Sequence, residues 1–285
     1  KSVIEYVKKC FSEKTQVIPN VNEKLMKYFK EYLCVGGLPD VVNVFNLTHD
    51  LTQVREIQQS ILESYKDDFG KHLNKDEVQE INQTELTKIM QVYKSIPNQL
   101  AKENKKFQYR LVASNAKARS HSNAITWLEE FGLICKCHNL NNLELPLDGN
   151  KDEDTFKIYV TDTGLFVAML EEGTVDNIIN GDLKVYKGAI FENLVADIFG
   201  KMGRKLYYYH KDGGVELDFL IRYKGKCVPI ECKARNGNAK SLRTVLDHNE
   251  KYHIDEAFKL GDYNIGRKGN LLTIPMYLAF MLKEI

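Results

Sequence analysis

The chain has 285 residues, enough for one large or two to three small domains. Hydrophobic residues make up 43% and charged residues 28%, which excludes wholesale disorder. With 40 lysines and arginines against 39 aspartates and glutamates the formal charge is +1, so the chain is neither a basic nucleic-acid coat nor an acidic tail, though a local basic face stays open.

The sequence opens at Lys1 inside what reads as a helix, with no initiator Met, and is expected to be a piece of a longer protein. Leu25, Met26, Phe29 and Leu33 recur at helical spacing and Gly36-Gly37 stops that helix. Pro39-Asp40 opens the next, with Val41, Val42 and Phe45 on its inner side. A third, over 51–69, carries Val54, Ile57, Ile61, Leu62 and Tyr65 and ends at Gly70. Residues 1–75 are thus expected to be a small helical unit.

Residues 76–165 read differently. A helix over 86–100, with Ile89, Met90 and Tyr93 inward, is expected to break at Pro97. A helix over 120–131 buries Ala124, Ile125, Leu128 and Phe131 and is capped by Gly132. A strand at 133–137, a polar loop and a strand at 156–160 complete the order of a winged helix-turn-helix. Lys117, Arg119, Ser120, His121 and Asn123 gather at the start of the second helix, where side chains reach phosphates or base edges, and are the DNA-binding candidates. The competing role for that helix is a spacer or protein-contact module.

Residues 166–285 read as a helix (187–200), strands at 205–210, 215–223 and 226–233, a helix (239–250), a strand (256–260) and a terminal helix after Pro275. The fold class is multidomain α/β, its last unit an αβββαβ domain with a partly antiparallel sheet. The apolar run 271–282 has 12 residues and carries Pro275, far short of the roughly 20 that span a bilayer, so no membrane partner is expected. The six cysteines are sparse and read as reduced, in a cytoplasmic protein; Cys135-x-Cys137 lacks a second pair at zinc spacing. Tyr207-Tyr208-Tyr209 alternates along a strand, so at least one ring is expected in the core.

The chemistry-bearing pattern is the hairpin over 215–233. A turn centred on Lys224-Gly225 pairs Leu217 with Cys232, Phe219 with Ile230 and Ile221 with Val228, which puts six apolar residues on one face. On the other face Asp218 then opposes Glu231, and Glu216 opposes Lys233. Directly opposed Cβ atoms lie roughly 4.5–5.5 Å apart, where two carboxylates repel. A divalent cation reverses that sign, because Mg²⁺ takes one or two carboxylates together with substrate phosphate. Lys233, one pleat from Glu231, is placed to orient a water or offset charge on a phosphate. The same pattern also fits a hairpin whose polar face is simply solvated, with Glu216–Lys233 a surface pair. In the preceding helix Glu192 lies on a stripe with Gly188 and Ala196, as either a satisfied helix residue or a third carboxylate aimed at the site.

Glu192 on a helix, Asp218 on a strand and Glu231-Cys232-Lys233 on the next strand resemble the PD-(D/E)xK nuclease superfamily, the fold of restriction endonucleases. The resemblance implies Glu192, Asp218 and Glu231 as ligands of Mg²⁺ or Mn²⁺, with Asp218, Glu231 and Lys233 as the catalytic set. A wider set of segments extends over nearly the whole chain: Val35-Gly36-Gly37-Leu38-Pro39-Asp40-Val41-Val42, Tyr65-Lys66-Asp67-Asp68, Arg119-Ser120, Trp127 to Ile134, Asp162-Thr163-Gly164-Leu165, Lys187 to Asn193 and Pro229 to Ala234. Together they resemble the C-terminal two-thirds of prokaryotic AAA-type ATPases that carry a DUF4143 domain with a nuclease-like fold. That resemblance implies a helical unit similar to an ATPase lid (1–75), a winged helix (76–165) and a nuclease-like domain (166–285). No G-x-x-x-x-G-K-[ST] loop occurs, so ATP is expected only through an upstream part. Implied partners are DNA, the ATPase domain or further copies in an oligomer. The implied functions are metal-dependent cleavage of nucleic acid or, alternatively, a non-catalytic DNA- or protein-binding module that regulates the ATPase.

Overall fold

Aromatic and β-branched residues between Leu206 and Lys233 build three consecutive antiparallel strands, and these form the middle of an eight-stranded sheet. The strands are β1 (Ile134–Leu140), β2 (Lys151–Val160), β3 (Leu206–His210), β4 (Glu216–Tyr223), β5 (Lys226–Lys233), β6 (Ala257–Gly261), β7 (Gly266–Lys268) and β8 (Leu271–Pro275). Their spatial order is β2-β1-β3-β4-β5-β6-β8-β7. Parallel pairs β1/β3, β5/β6 and β6/β8 flank the antiparallel centre, so the protein is mixed α/β. This computed structural model describes residues 2–72, 83–103, 105–183, 186–211, 214–233 and 239–283. The expected 75/76 boundary, Gly213 and Ala234 lie outside the described residues.

Two compact units make up the chain. The first comprises Lys1–Phe29, Cys137–Lys157 and Leu194–Ile285; the second comprises Lys30–Lys136 and Ile158–Asn193. In the first unit, helix Lys240–Asp247 buries Leu242 and Val245 in a core with Leu220, Ala257, Tyr207 and Tyr209. Phe199, near the end of helix Lys187–Lys201, meets Phe219 edge-on at 6.0 Å between ring centres. All three tyrosines of β3 are buried. Tyr207 donates to Asp148 Oδ1 at 2.8 Å, and Lys157 Nζ lies 4.7 Å from the Tyr208 ring centre.

The second unit is helical. Helices Pro39–Thr48 and Leu51–His72 pack through Val41 and Val54 with Val35. Helices Gln83–Leu100 and Ala118–Glu130 follow, then two short ones at Thr163–Ala168 and Thr174–Asn180.

Several elements depart from expectation. The helix expected to stop at Gly70 runs on to His72. Pro97 sits inside its helix, which continues to Leu100; a proline removes one N–H only, and Val92, Tyr93, Ile96 and Leu100 are buried along the helix regardless. The expected helix over 239–250 divides at His248 into Lys240–Asp247 and Asn249–Tyr252. The segment after Ile265 forms β7, β8 and a 3₁₀ helix, Met276–Leu282, rather than an α-helix. The strand pair expected as a wing is longer than the pattern suggests. Its β1 pairs with β3 at Cys137↔Leu206, His138↔Tyr207 and Asn139↔Tyr208, so it extends the large sheet. Without β1, β3 would be an edge strand with unpaired N–H and C=O groups; the pairing satisfies them and makes β3 an interior strand.

Candidate active site

From Phe219 to the turn the hairpin register is the one the apolar pattern predicts. Lys224 and Gly225 both have positive φ, 50° and 74°, the geometry of a two-residue turn between Tyr223 and Lys226. The ladder runs Tyr223↔Lys226, Arg222↔Cys227, Ile221↔Val228, Leu220↔Pro229 and Phe219↔Ile230. The ladder ends at Phe219↔Ile230; against β3 the register of β4 shifts between Leu217 and Leu220, and Asp218 lies in that irregular stretch, next to the end of β5 that carries Glu231.

Neither carboxylate is solvated: Asp218 is 8% and Glu231 6% exposed. A simply hydrated polar face is therefore ruled out for this pair. Asp218 Oδ2 accepts from the Cys232 N–H at 2.8 Å, so its side chain reaches across to the neighbouring strand. Glu231 Oε1 forms an ion pair with Lys233 Nζ, and the Lys233 side chain is one-third exposed, which opens this cluster to solvent. In place of the expected Glu216–Lys233 pair, Lys233 pairs with Glu231, and Glu216 pairs with residues of β2 and β3. Glu216 begins β4 beside His210 of β3, and its carboxylate lies 3.7 Å from Lys157 Nζ and 3.8 Å from His210 Nδ1.

The parallel neighbour β6 adds residues that the sequence pattern did not point to. Glu231 is in register with Lys259, and Lys233 with Gly261. Lys259 Nζ sits 4.6 Å from the ring centre of Tyr263. A Cβ at Gly261 would fall 2.4 Å from Tyr263 Cε2 and 2.5 Å from the Lys233 carbonyl oxygen, so only glycine lets the tyrosine lie against the strand there. Burial, then the charges of Lys233 and Arg243, hold the Lys259 ammonium below the usual lysine range. Burial, with Asp262 beside it, pushes the Tyr263 phenol up to about 12. The signal for Lys259 was its position in a predicted strand, but the adjacency of that strand to β5, with Lys259 28 positions after its register partner Glu231, is a tertiary fact.

Glu192 belongs to the second unit and is 3% exposed. Its Oε2 accepts from Tyr159 Oη at 3.1 Å and its Oε1 pairs with Lys105 Nζ. Asn193 beside it bridges the Val160 N–H (2.8 Å) and C=O (3.0 Å). Among the described residues no group of three or more His, Cys, Asp or Glu side chains is gathered as a metal-ligand set. The Asp218–Glu231 pair by itself supplies two hard carboxylate donors, the chemistry of an ion that completes its shell with water and phosphate oxygens.

Lys117, Arg119 and Asn123 are exposed at the start of helix Ala118–Glu130. Ser120 turns back instead: its hydroxyl accepts from the Lys117 N–H (3.2 Å), donates to the Lys117 carbonyl (3.0 Å) and lies 2.8 Å from His121 Nδ1. His121 is buried.

The segments 35–42 and 162–165 meet in the second unit as a structural joint. Asp162 Oδ2 accepts from the Gly37 N–H at 2.8 Å and Oδ1 from the Leu165 N–H at 2.9 Å. Gly36 has φ +73°, and a Cβ on it would fall 2.3 Å from Asp162 Oδ1; one on Gly164 would fall 2.5 Å from the Val35 carbonyl.

Residues 26–176 match the family model described as "Domain of unknown function (DUF8612)", and residues 187–277 match "Domain of unknown function (DUF4143)". No curated protein and no solved structure matches the chain. Among the described residues no helix is long and apolar enough to cross a membrane.

Proposed function

The chain belongs to the DUF8612 family and carries a DUF4143 match over β3 to β8, and from that premise we propose that Asp218, Glu231 and Lys233 form a metal-dependent phosphodiesterase site acting on nucleic acid. The observation that carries this reading is the burial of two carboxylates on adjacent strands beside a half-open lysine. Like charges held out of water on neighbouring strands are costly, and function is the common reason for keeping them.

Asp218 and Glu231 would hold Mg²⁺ or Mn²⁺. When bound, the ion supplies Lewis-acid polarisation of a phosphoryl oxygen. Lys233 is the mobile donor: its ammonium exchanges Glu231 for a water or for the oxygen on which charge develops. Asp218 keeps its second oxygen on the Cys232 N–H, which fixes the direction of the first. The Glu192 carboxylate is held by Tyr159 and Lys105 of its own unit and is not needed in this assignment.

DNA contact by Lys117, Arg119 and Asn123 is part of the same proposal and is supported by their exposure at a helix start. In the AAA-type ATPase context that the resemblance implies, ATP is handled by a separate part of the protein.

The test is cleavage of supercoiled plasmid and of single-stranded DNA and RNA with Mg²⁺, Mn²⁺ or EDTA. Cutting that needs the ion and vanishes in Asp218→Asn and Lys233→Ala, with unchanged melting of Asp218→Asn, is expected. Cutting that survives both substitutions refutes the assignment. A second reading rests on the Glu231–Lys233 pair and the Cys232–Asp218 bond, which give each carboxylate a partner within the protein. Under it the domain is a non-catalytic binding module, and calorimetry shows no Mn²⁺ binding that Asp218→Asn removes.

A further inference from the structure

A groove of about 570 Å³ opens beside the sheet edge in the first unit, between helix Lys240–Asp247 and the turn joining β7 to β8. Arg243 and Lys268 line it, with Asn270 between two apolar patches, Leu246 and Leu271; Asp247 is its one acid. Arg243, Lys268 and Asn270 are exposed. Arg243 does not stand apart from the carboxylate cluster, because its charge acts directly on Lys259, and Lys259 is in register with Glu231. Lys268, Arg243, Lys259 and Lys233 lie on elements that adjoin one another: β7 pairs with β8, β8 with β6 and β6 with β5, and helix Lys240–Asp247 packs on β5. Against Asp247, Glu231 and Asp218 these four cations leave a surplus of one positive charge, with Lys233 and Lys259 on the neighbouring strands β5 and β6, Lys268 on β7 and Arg243 on helix Lys240–Asp247.

Grouping like charges costs free energy unless an anion offsets it, and a run of spaced cations with small apolar patches between them is the complement of a polyanionic chain with sugars between its charges. We propose that this groove seats the phosphodiester backbone of a single nucleic-acid strand, with Arg243 and Lys268 neutralising its phosphates, Leu246 and Leu271 meeting its sugars or bases, and Lys259 leading it to Lys233 and Glu231. The proposal rests on the reading of the Asp218–Glu231–Lys233 cluster as a phosphodiester site and names the path by which the strand reaches it. Tyr263 serves as the wall behind Lys259: packed where Gly261 leaves room, its ring holds the ammonium on the strand side.

The experiment is fluorescence anisotropy of a labelled single-stranded DNA of about 16 nucleotides with the full chain in EDTA, at several salt concentrations. Without a divalent ion no cutting intrudes, so binding is read independently of catalysis. Arg243→Ala and Lys268→Ala are each expected to weaken binding several-fold, and to lower the slope of log affinity against log salt by about 1. The double variant is expected to lose about tenfold or more, and the blunt duplex of the same sequence to bind more weakly than the single strand. Both side chains are exposed, and melting curves identical to the parent establish that the fold is retained. Unchanged affinity and salt slope in the double variant overturn the groove, as does a parent protein that binds neither probe. Binding lost with Arg243 and Lys268 but no ion-dependent cutting at any salt keeps the groove and removes the nuclease. Asp218-dependent cutting that ignores both substitutions keeps the nuclease and removes the groove.

Discussion

Two buried aspartates sit in two very different settings. Asp162 joins segments of the second unit, and its two oxygens accept the Gly37 and Leu165 backbone N–H groups. Asp218 in the first unit gives one oxygen to the Cys232 N–H and faces a second carboxylate, Glu231, with Lys233, Lys259 and Tyr263 around it. Both belong to short segments that stand out in the sequence, yet only one of them places charge against charge. A residue that ties loops together is saturated by backbone donors; one that serves chemistry is left among groups that can exchange partners.

The largest effects are expected at the joint. Gly36→Ala forces a side chain into positive φ and against Asp162, and should lower stability by about 3 kcal/mol in denaturant titrations. Lys105→Ala, which strands the Glu192 carboxylate in the interior of the same unit, should cost about 3 kcal/mol or more by the same measurement. Glu192→Gln in the Lys105→Ala background should recover much of that loss, because no buried charge then remains.

The sharpest form of the comparison uses one substitution twice. Asp162→Asn turns an amide donor toward a backbone N–H and should destabilise by about 1–3 kcal/mol. Asp218→Asn keeps an acceptor for the Cys232 N–H and removes repulsion with Glu231, so its melting should shift by less than about 1 kcal/mol in either direction. Equal losses at the two positions would dissolve the distinction between joint and site.

The smallest effect is a pH dependence. The folded protein holds Lys259 below the ordinary lysine range through burial and the charges of Lys233 and Arg243. An anion binds the protonated form, so strand affinity should fall as pH rises through that lowered value, earlier than an exposed lysine would allow. Lys259→Arg, which stays charged, should move the alkaline drop in the anisotropy assay to higher pH.

The hairpin register next to the turn was legible because the Phe219–Ile230 and Ile221–Val228 pairs and a Lys224-Gly225 turn admit a single alignment, whereas the shift of β4 against β3 that sets Leu217 in one cluster with Leu220 left no trace in the alternation. Burial of the carboxylates was not legible, since alternation marks Asp218 and Glu231 as facing away from one core without saying that helix Lys240–Asp247 packs on β4 and β5. Glu192 was legible as a choice between two roles, and the Tyr159 and Lys105 contacts that satisfy it come from residues 33 and 87 positions away. The wing was misplaced for a related reason: helix-strand-loop-strand order describes local structure, whereas the pairing of β1 with β3 joins segments some 70 residues apart. Short strands such as β7 carry too few residues for periodicity to speak. Lys259 and Arg243 had no motif at all.

The decisive measurement is a Mn²⁺ titration of nucleic-acid cleavage by the parent chain and by Asp218→Asn, with both proteins shown to melt alike. Phosphodiester scission that rises with the ion in the parent and is absent in the variant is the predicted result. Cleavage of equal rate in the two proteins, or none in either at any ion concentration, would contradict a catalytic role for the paired carboxylates.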